Sequence, residues 1–388
     1  MSAYKILRKG FDSLDVAFQG AMPSGALDVL RSAKALATSE GRAVLVNVGG
    51  IDGHVGETGA KGGYAFRFDT GLDGEIWLIK DSRDCEQWNL RVTVRAVQLA
   101  LDGYDVVRDR LFEKLEKWGA KVITESVARA DYAVDFIADE LQLRPDDFVF
   151  HSHSRCQEHR EIPEGGTGFS IERRSGRVTG ITVGKMPGRQ VTVYDKRLEQ
   201  IYKVGSPWWK LWGFEKEDCP RVWRVEVRAG KKHLTDWGVK TFGDLEAEAV
   251  AMFGAAMQAV RMTAGRDESN VSRLENHPFW DLAVDQVKAA LEPYTTDAQR
   301  SEILAGTREE ILEMYRKQVM GLCVSYAVAQ GMSKAEAAEE LGDDLTAKWL
   351  SLAKGTPAIY GRKYRLASDR LHFLNEKGNF ADADANGI

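Results

Sequence analysis

Apolar and polar residues alternate along much of the first 230 positions. Short β-branched and aromatic runs recur between turn signals: "LDVAF", "AVLVNV", "YAFRF", "EIWLIK" and "LRVTVRAV", then "KVITESVARADYAVDF", "DFVFHSH", "GFSIERR", "RVTGITVG", "RQVTVYDK" and "RVWRVEVR". Each reads as a strand. One helix interrupts them at Tyr104 to Trp118, where Val107, Leu111, Leu115 and Trp118 keep helical spacing. The glycine-rich piece Gly49 to Gly63 reads as a long loop. Its GxxxxGxxGG spacing has no following helix and no GK[ST] ending, so it is not expected to cradle a phosphate. Past Asp244 the pattern turns helical, in "LEAEAVAMFGAAMQAVRM", "FWDLAVDQVKAALE", "REEILEMYRKQVMGLCVSYAVAQ" and "SKAEAAEELG".

These elements predict an α+β protein: an antiparallel sheet with helices on one face, followed by a helical C-terminal region. The expected divisions are a β-rich part over 1–100, a second part over 101–240 that carries the candidate chemistry, a helical region over 241–375 and a disordered tail over 376–388. The segments "FDSLDVAF" and "ARADYAVDF" are alike and suggest a duplicated β-α unit.

Three strands carry one charged face each, because alternate residues of a strand share a side. In "ARADYAVDF", Arg129, Asp131 and Asp135 lie opposite Tyr132, Val134 and Phe136. In "VTVYDK", Thr192, Tyr194 and Lys196 lie opposite Val191 and Val193. In "VWRVEVR", Arg224, Glu226 and Arg228 lie opposite Trp223, Val225 and Val227. If the apolar faces pack on one helical layer, the polar faces lie together. Asp131, Asp135 and Glu226 then supply hard oxygen donors of the kind Mg²⁺ or Mn²⁺ takes, while Lys196, Arg224 and Arg228 supply phosphate contacts. A solvated sheet face with salt bridges gives the same alternation. Tyr194 separates the two readings, since it stands on the polar side, where a core tyrosine would not be. A phenol beside cations and carboxylates is suited to attack on a phosphodiester.

Composition adds little against this. The 388 residues are 44% hydrophobic and 29% charged, and the net charge is −5, which alone disfavours a nucleic-acid binder. The distribution is uneven: residues 181–232 hold twelve Lys and Arg against six Asp and Glu. No window approaches the roughly 18 apolar residues of a membrane span, and "MSAYKILRKGFDSLDVAF" has no apolar stretch of the signal-peptide kind. Four dispersed cysteines without a CxxC pair fit a reducing cytoplasm.

Taken in order, "ARADYAVDF", "GITVGKMPGRQVTVYDKRLEQ" and "RVWRVEVRAG" resemble the Rep_trans family of rolling-circle replication initiators, found on plasmids, filamentous phages and integrative elements. The resemblance is densest over residues 120–232. It implies an HUH-like or palm-like nicking fold and a metal-dependent endonuclease that cuts and rejoins DNA strands. Its nucleophile would be Tyr194, forming a 5′-phosphotyrosine and freeing a 3′-hydroxyl. Lys196 and Arg224 would contact the scissile phosphate. Asp131, Asp135 and Glu226 would hold Mg²⁺ or Mn²⁺. Arg129, Lys185, Arg189 and Arg228 would contact DNA, with Lys185 and Arg189 replacing the basic groups of a G-S-R-x-S stretch that here reads "GKMPGR". The implied partner is a replication origin with a single-stranded or cruciform nick site. Host helicase, host polymerase and a second copy of the chain are further candidate partners. A conjugative relaxase using the same site, and a DNA-binding regulator without catalysis, are the alternatives.

Two stretches remain open. His151, His153, Cys156 and His159 crowd "FVFHSHSRCQEHRE" and are readable as zinc ligands. No second ligand pair accompanies them, so a polar strand end followed by a loop is expected. "AVAQGMSKAEAAEELGDDL" has a helix-turn-helix outline with Gly331 at the turn and Ser333 as cap. Its acidic second helix (Glu336, Glu339, Glu340) fits packing better than groove reading. "YGRKYRLASDR" reads either as a backbone-contacting helix or as an amphipathic surface helix.

Overall fold

Strand alternation and strand length together set the architecture. The computed structural model describes residues 4–150, 154–155, 168–265, 273–289 and 296–374. They form two compact units: Met1–Tyr202 with Trp208–Ala298, and Lys203–Pro207 with Gln299–Ile388.

The first unit holds an eleven-stranded antiparallel sheet. In chain order its strands are β1 (Lys5–Ala21), β2 (Val44–Val48), β3 (Ile51–Val55), β4 (Tyr64–Asp69), β5 (Glu75–Lys80), β6 (Trp88–Val94), β7 (Lys121–Ile137), β10 (Phe169–Arg174), β11 (Arg177–Gly184), β12 (Arg189–Asp195) and β13 (Val222–Gly230). Short β8 (Phe148–Phe150), β9 (Ser154–Arg155) and β14 (Val260–Met262) make a separate three-stranded sheet. The spatial order of the large sheet is β10-β11-β12-β13-β7-β1-β6-β5-β4-β3-β2. The two 17-residue strands β1 and β7 pair at its centre. Outward from each, the last strand of its half comes next and the others follow in descending order, so the two halves repeat one topology back to back. "FDSLDVAF" lies in β1 and "ARADYAVDF" in β7.

Helices cover one face: α1 (Ser24–Glu40), α2 (Ala96–Asp102), α3 (Tyr104–Lys117), α6 (Lys231–Asp236), α7 (Phe242–Ala259) and α8 (Pro278–Lys288). Two short helices, α4 (Lys196–Gln200) and α5 (Trp208–Leu211), follow β12. Leu14, Val16 and Phe18 of β1, Tyr132, Val134 and Phe136 of β7, and Val225 and Val227 of β13 point into a core shared with Leu111, Leu115, Leu245, Phe253, Phe279 and Trp280. Burying each such side chain contributes about 1.5–3 kcal/mol. The rings of Phe11, Tyr132 and Phe253 meet with centroids 5.7–6.1 Å apart and tie both central strands to α7.

Three expectations from the sequence need correction. The loop expected over Gly49–Gly63 contains β3. Gly49 and Gly50, at φ +58° and +80°, close a two-residue hairpin in which Val48 faces Ile51, the left-handed pair that such turns favour. Helix α1 has no strand-like alternation to mark it; Pro23 makes no side-chain cap and neither end turn carries a complementary charge, so its end signal is Gly41, left-handed at φ +66°. The helix forms because Leu27, Leu30, Ala33 and Ala37 bury one stripe. Lastly, a boundary near residue 240 would assign α7 and α8 to the C-terminal helices. Their buried faces instead complete the core of the sheet unit, and the second unit takes up the chain at Gln299.

The second unit contains α9 (Arg300–Ala329), α10 (Lys334–Leu350) and α11 (Pro357–Leu371). Gly331 turns the chain at φ +75°, and Ser333 caps α10 in a reciprocal box with Glu336. The Tyr326 hydroxyl donates to Asp344 Oδ2 at 2.9 Å, joining α9 to α10. The histidine and cysteine cluster and the tail over 376–388 lie outside the described residues. Among the described residues no helix is long and apolar enough to cross a membrane.

Candidate functional site

Register aligns the polar face of β12, β13, β7 and β1 into rows. Tyr194 faces Arg224, Arg224 faces Asp135, and Asp135 faces Arg8. One row along, Glu226 faces Thr192 and Ala133; in the next, Arg228 faces Gln190 and Asp131, and Asp131 faces Ser13. Each side chain is placed there by alternation, its neighbours Val193, Val225, Val134 and Phe136 being buried in the core.

The Tyr194 hydroxyl donates to Glu226 Oε2 at 3.2 Å and accepts from Lys196 Nζ at 3.3 Å. Lys196 also pairs with Glu199 at 2.6 Å. Arg224 grips Asp135 through Nε and Nη2, at 2.6 and 2.8 Å, and reaches Asp12 through Nη1 at 2.7 Å. Arg8 approaches Asp12 at 3.4 Å. Arg228 binds both oxygens of Glu226, at 2.8 and 3.0 Å. Arg129 binds Asp131 in the same forked way.

Much of this network is closed to water, because the segment after α4 lies over it. The Trp208 ring sits 4.3 Å from the Arg224 guanidinium, 5.0 Å from Lys196 Nζ and 5.2 Å from the Arg8 guanidinium. The Trp212 indole N–H donates to Asp135 Oδ2 at 2.9 Å. Arg224 and Asp135 are 0% exposed, whereas Tyr194 keeps partial exposure.

Burial and charge set the protonation states. Burial holds the Tyr194 phenol well above its ordinary 10, Glu226 adds to the rise, and Arg224 works against it. Burial also opposes ionisation of Asp12, but Arg224, Lys196 and Arg8 outweigh it and bring that carboxyl down to about 2. Lys196 is lowered, by burial first and by Arg224 next. Arg224 is raised, since Asp12 and Asp135 overcome its burial.

Asp131 behaves differently: burial raises it to about 7 despite Arg129. An acid raised on folding carries a proton in the folded chain that the unfolded chain lacks between about pH 4 and 7. Stability from this group is therefore full below about pH 4 and falls as pH rises to about 7. At about 1.4 kcal/mol per pH unit the fall is at most about 4 kcal/mol. Urea unfolding at pH 5 and pH 8 is expected to show about 3 kcal/mol of this loss in the wild type and a much flatter profile in Asp131→Asn; equal slopes would contradict the assignment.

Of the residues singled out from the sequence, the structure brings Tyr194, Lys196, Arg224, Glu226 and Asp135 together. Arg228 joins them through Glu226. Asp131 and Arg129 form a neighbouring pair farther along β7. Lys185 and Arg189 flank the turn between β11 and β12, five residues of strand or more from Tyr194, on the order of 15 Å. The side chains that sequence reasoning missed are Arg8, Asp12, Trp208 and Trp212.

The carboxylates do not converge as a metal site. Each is engaged by its own arginine, and Asp135 also by an indole N–H. Among the described residues no group of three or more His, Cys, Asp or Glu side chains is disposed to hold a metal ion. Asp131, Asp135 and Glu226 as folded do not fit Mg²⁺ or Mn²⁺.

No protein-family model matches the chain, and no curated protein matches it. A solved structure of a rolling-circle replication initiator protein from Geobacillus stearothermophilus is similar at a TM-score of 0.38 and 13% identity, covering 74% of this chain and 99% of that one.

Proposed function

We propose that the protein is a rolling-circle replication initiator that nicks origin DNA through Tyr194. The observation that carries this reading is the phenol held between a proton acceptor, Glu226, and a cation, Lys196, in register with Arg224. The order of the three sequence motifs described above supports it. The bond formed joins Tyr194 Oη to phosphorus, and the bond broken joins phosphorus to the 3′ oxygen. The phenol proton passes to Glu226, and the departing 3′ oxygen takes a proton from solvent. Lys196 and Arg224 neutralise charge on the phosphate oxygens. With its pKa raised, the phenol is protonated at neutral pH, so Glu226 is needed as base. The family resemblance implies Mg²⁺ or Mn²⁺, while the carboxylates as folded are each taken up by an arginine.

The test is incubation of the full chain with supercoiled origin-bearing DNA, with Mg²⁺, with Mn²⁺ and with EDTA. Relaxed circles and a covalent adduct mapped to Tyr194 on a 5′ phosphate are the expected outcome. A mobility shift without an adduct would support the non-catalytic regulator instead.

A further inference from the structure

The polar face runs on past Tyr194 to the edge of the sheet. Tyr194 faces Gly180 of β11, and Gly180 faces Glu172 of β10. A Cβ at Gly180 would lie 3.2 Å from Tyr194 Cβ and 3.1 Å from Glu172 Oε2, so this point of the row stays open only without a side chain. Three residues farther along β11, on the order of 10 Å, stands Arg177. It faces Arg174 across a two-residue turn made by Ser175 and Gly176. Val178 packs against the core, so Arg177 beside it takes the side of Tyr194. Arg173 completes the arginine-rich tip, and all three arginines are exposed.

Two observations set Arg174 and Arg177 apart from Arg129, Arg224 and Arg228, each of which binds a carboxylate. Among the described residues neither forms a salt bridge, although like charges directly opposite each other on paired strands repel. The Arg174 guanidinium also lies 3.8 Å from the centre of the Tyr202 ring, itself 64% exposed. That stacking holds the cation extended at the surface. Packing does not account for such a pair; a polyanion does. Resting on the reading of Tyr194 as nucleophile, we propose that Arg174 and Arg177 grip the DNA strand through the phosphates next to the one being cut. The strand lies across Gly180, and the tip fixes its backbone without reading its bases.

Salt-dependent binding tests this without cleavage. The probe is a short fluorescein-labelled single-stranded oligonucleotide of mixed sequence, bound by the full chain from about 50 to about 200 mM NaCl. Each phosphate contact on a single strand contributes about 0.7 to the slope of log affinity against log salt. Arg174→Ala with Arg177→Ala is expected to lower the slope by about 1.4, and each alone by about half as much. Arg174→Lys with Arg177→Lys keeps both charges and should keep the slope. Arg31→Ala, on α1 of the opposite, helical face, should leave it unchanged. In the nicking assay the double alanine variant should raise KM about tenfold and leave kcat as it is, the mark of a contact made equally before and during reaction. An unchanged slope in the double alanine variant overturns the grip, as does an equal fall in Arg31→Ala, a loss of kcat with KM unchanged, or no binding by the wild type. If binding behaves as expected and no form of the protein nicks DNA, the reading of Tyr194 fails while the phosphate grip stands.

Discussion

Tyr194→Phe is expected to abolish the covalent protein–DNA adduct and lower nicking by at least about 10³-fold, with duplex binding retained. The substitution removes one oxygen and leaves the ring in place. What is lost is the bond-forming atom, together with the hydrogen bonds to Glu226 and from Lys196. Folding should tolerate the change, since the hydrogen bonds of a single hydroxyl contribute about 1 kcal/mol. Lys196 and Arg224 remain to bind phosphate. Denaturing gels with end-labelled origin DNA read the adduct, and mobility shifts read the binding. An adduct that survives in Tyr194→Phe would exclude this residue as nucleophile; loss of binding along with the adduct would mean that the tyrosine is structural.

Arg224→Leu is expected to destabilise the sheet unit by about 3–5 kcal/mol, the cost of leaving a buried charge without its partner. Two carboxylates depend on this one guanidinium: Asp135, fully buried, and Asp12, 13% exposed at its side chain. Arg224→Lys keeps the charge but loses the fork that binds both oxygens of Asp135, so a smaller loss of about 1–2 kcal/mol is expected. Urea unfolding followed by tryptophan fluorescence measures both, because Trp208 and Trp212 contact the pair. A loss below about 1 kcal/mol in Arg224→Leu would show that the network does not hold the face together.

The parts legible in the sequence were those governed by strict periodicity. In β12, β13 and residues 129–137 of β7 the alternation is unbroken, and the residues it assigned to the polar face, from Asp131 to Arg228, share that face in the structure. The helix over Tyr104–Lys117 showed itself through Val107, Leu111 and Leu115 for the same reason. Asp12 was hidden because β1 does not alternate cleanly. Its register against β7 shifts at four places, one of them between Phe11 and Ser13, so parity along the strand does not predict the face. The covering tryptophans were hidden differently. "PWWKLWGF" reads as apolar core, and the Trp208–Trp212 ring pair at 5.7 Å is core-like in its packing. Only the cations beneath it set it apart from core. The metal expectation followed from counting acidic residues on the face, and the count could not show that Arg129, Arg224 and Arg228 each engage one of them.

The back-to-back halves of the sheet also constrain how the protein can be cut or recombined. Tyr194, Arg224 and Asp135 come from the second half, yet Asp12 and Arg8 arrive from the first strand of the chain. A fragment starting at residue 121 would keep Tyr194 and lose Asp12, one of the two carboxylates that Arg224 binds. It would also bare the β1-facing edge of the 17-residue β7, an open template for sticking to other chains. Exchange of parts between relatives should therefore respect the seam between β1 and β7, with both strands inherited together.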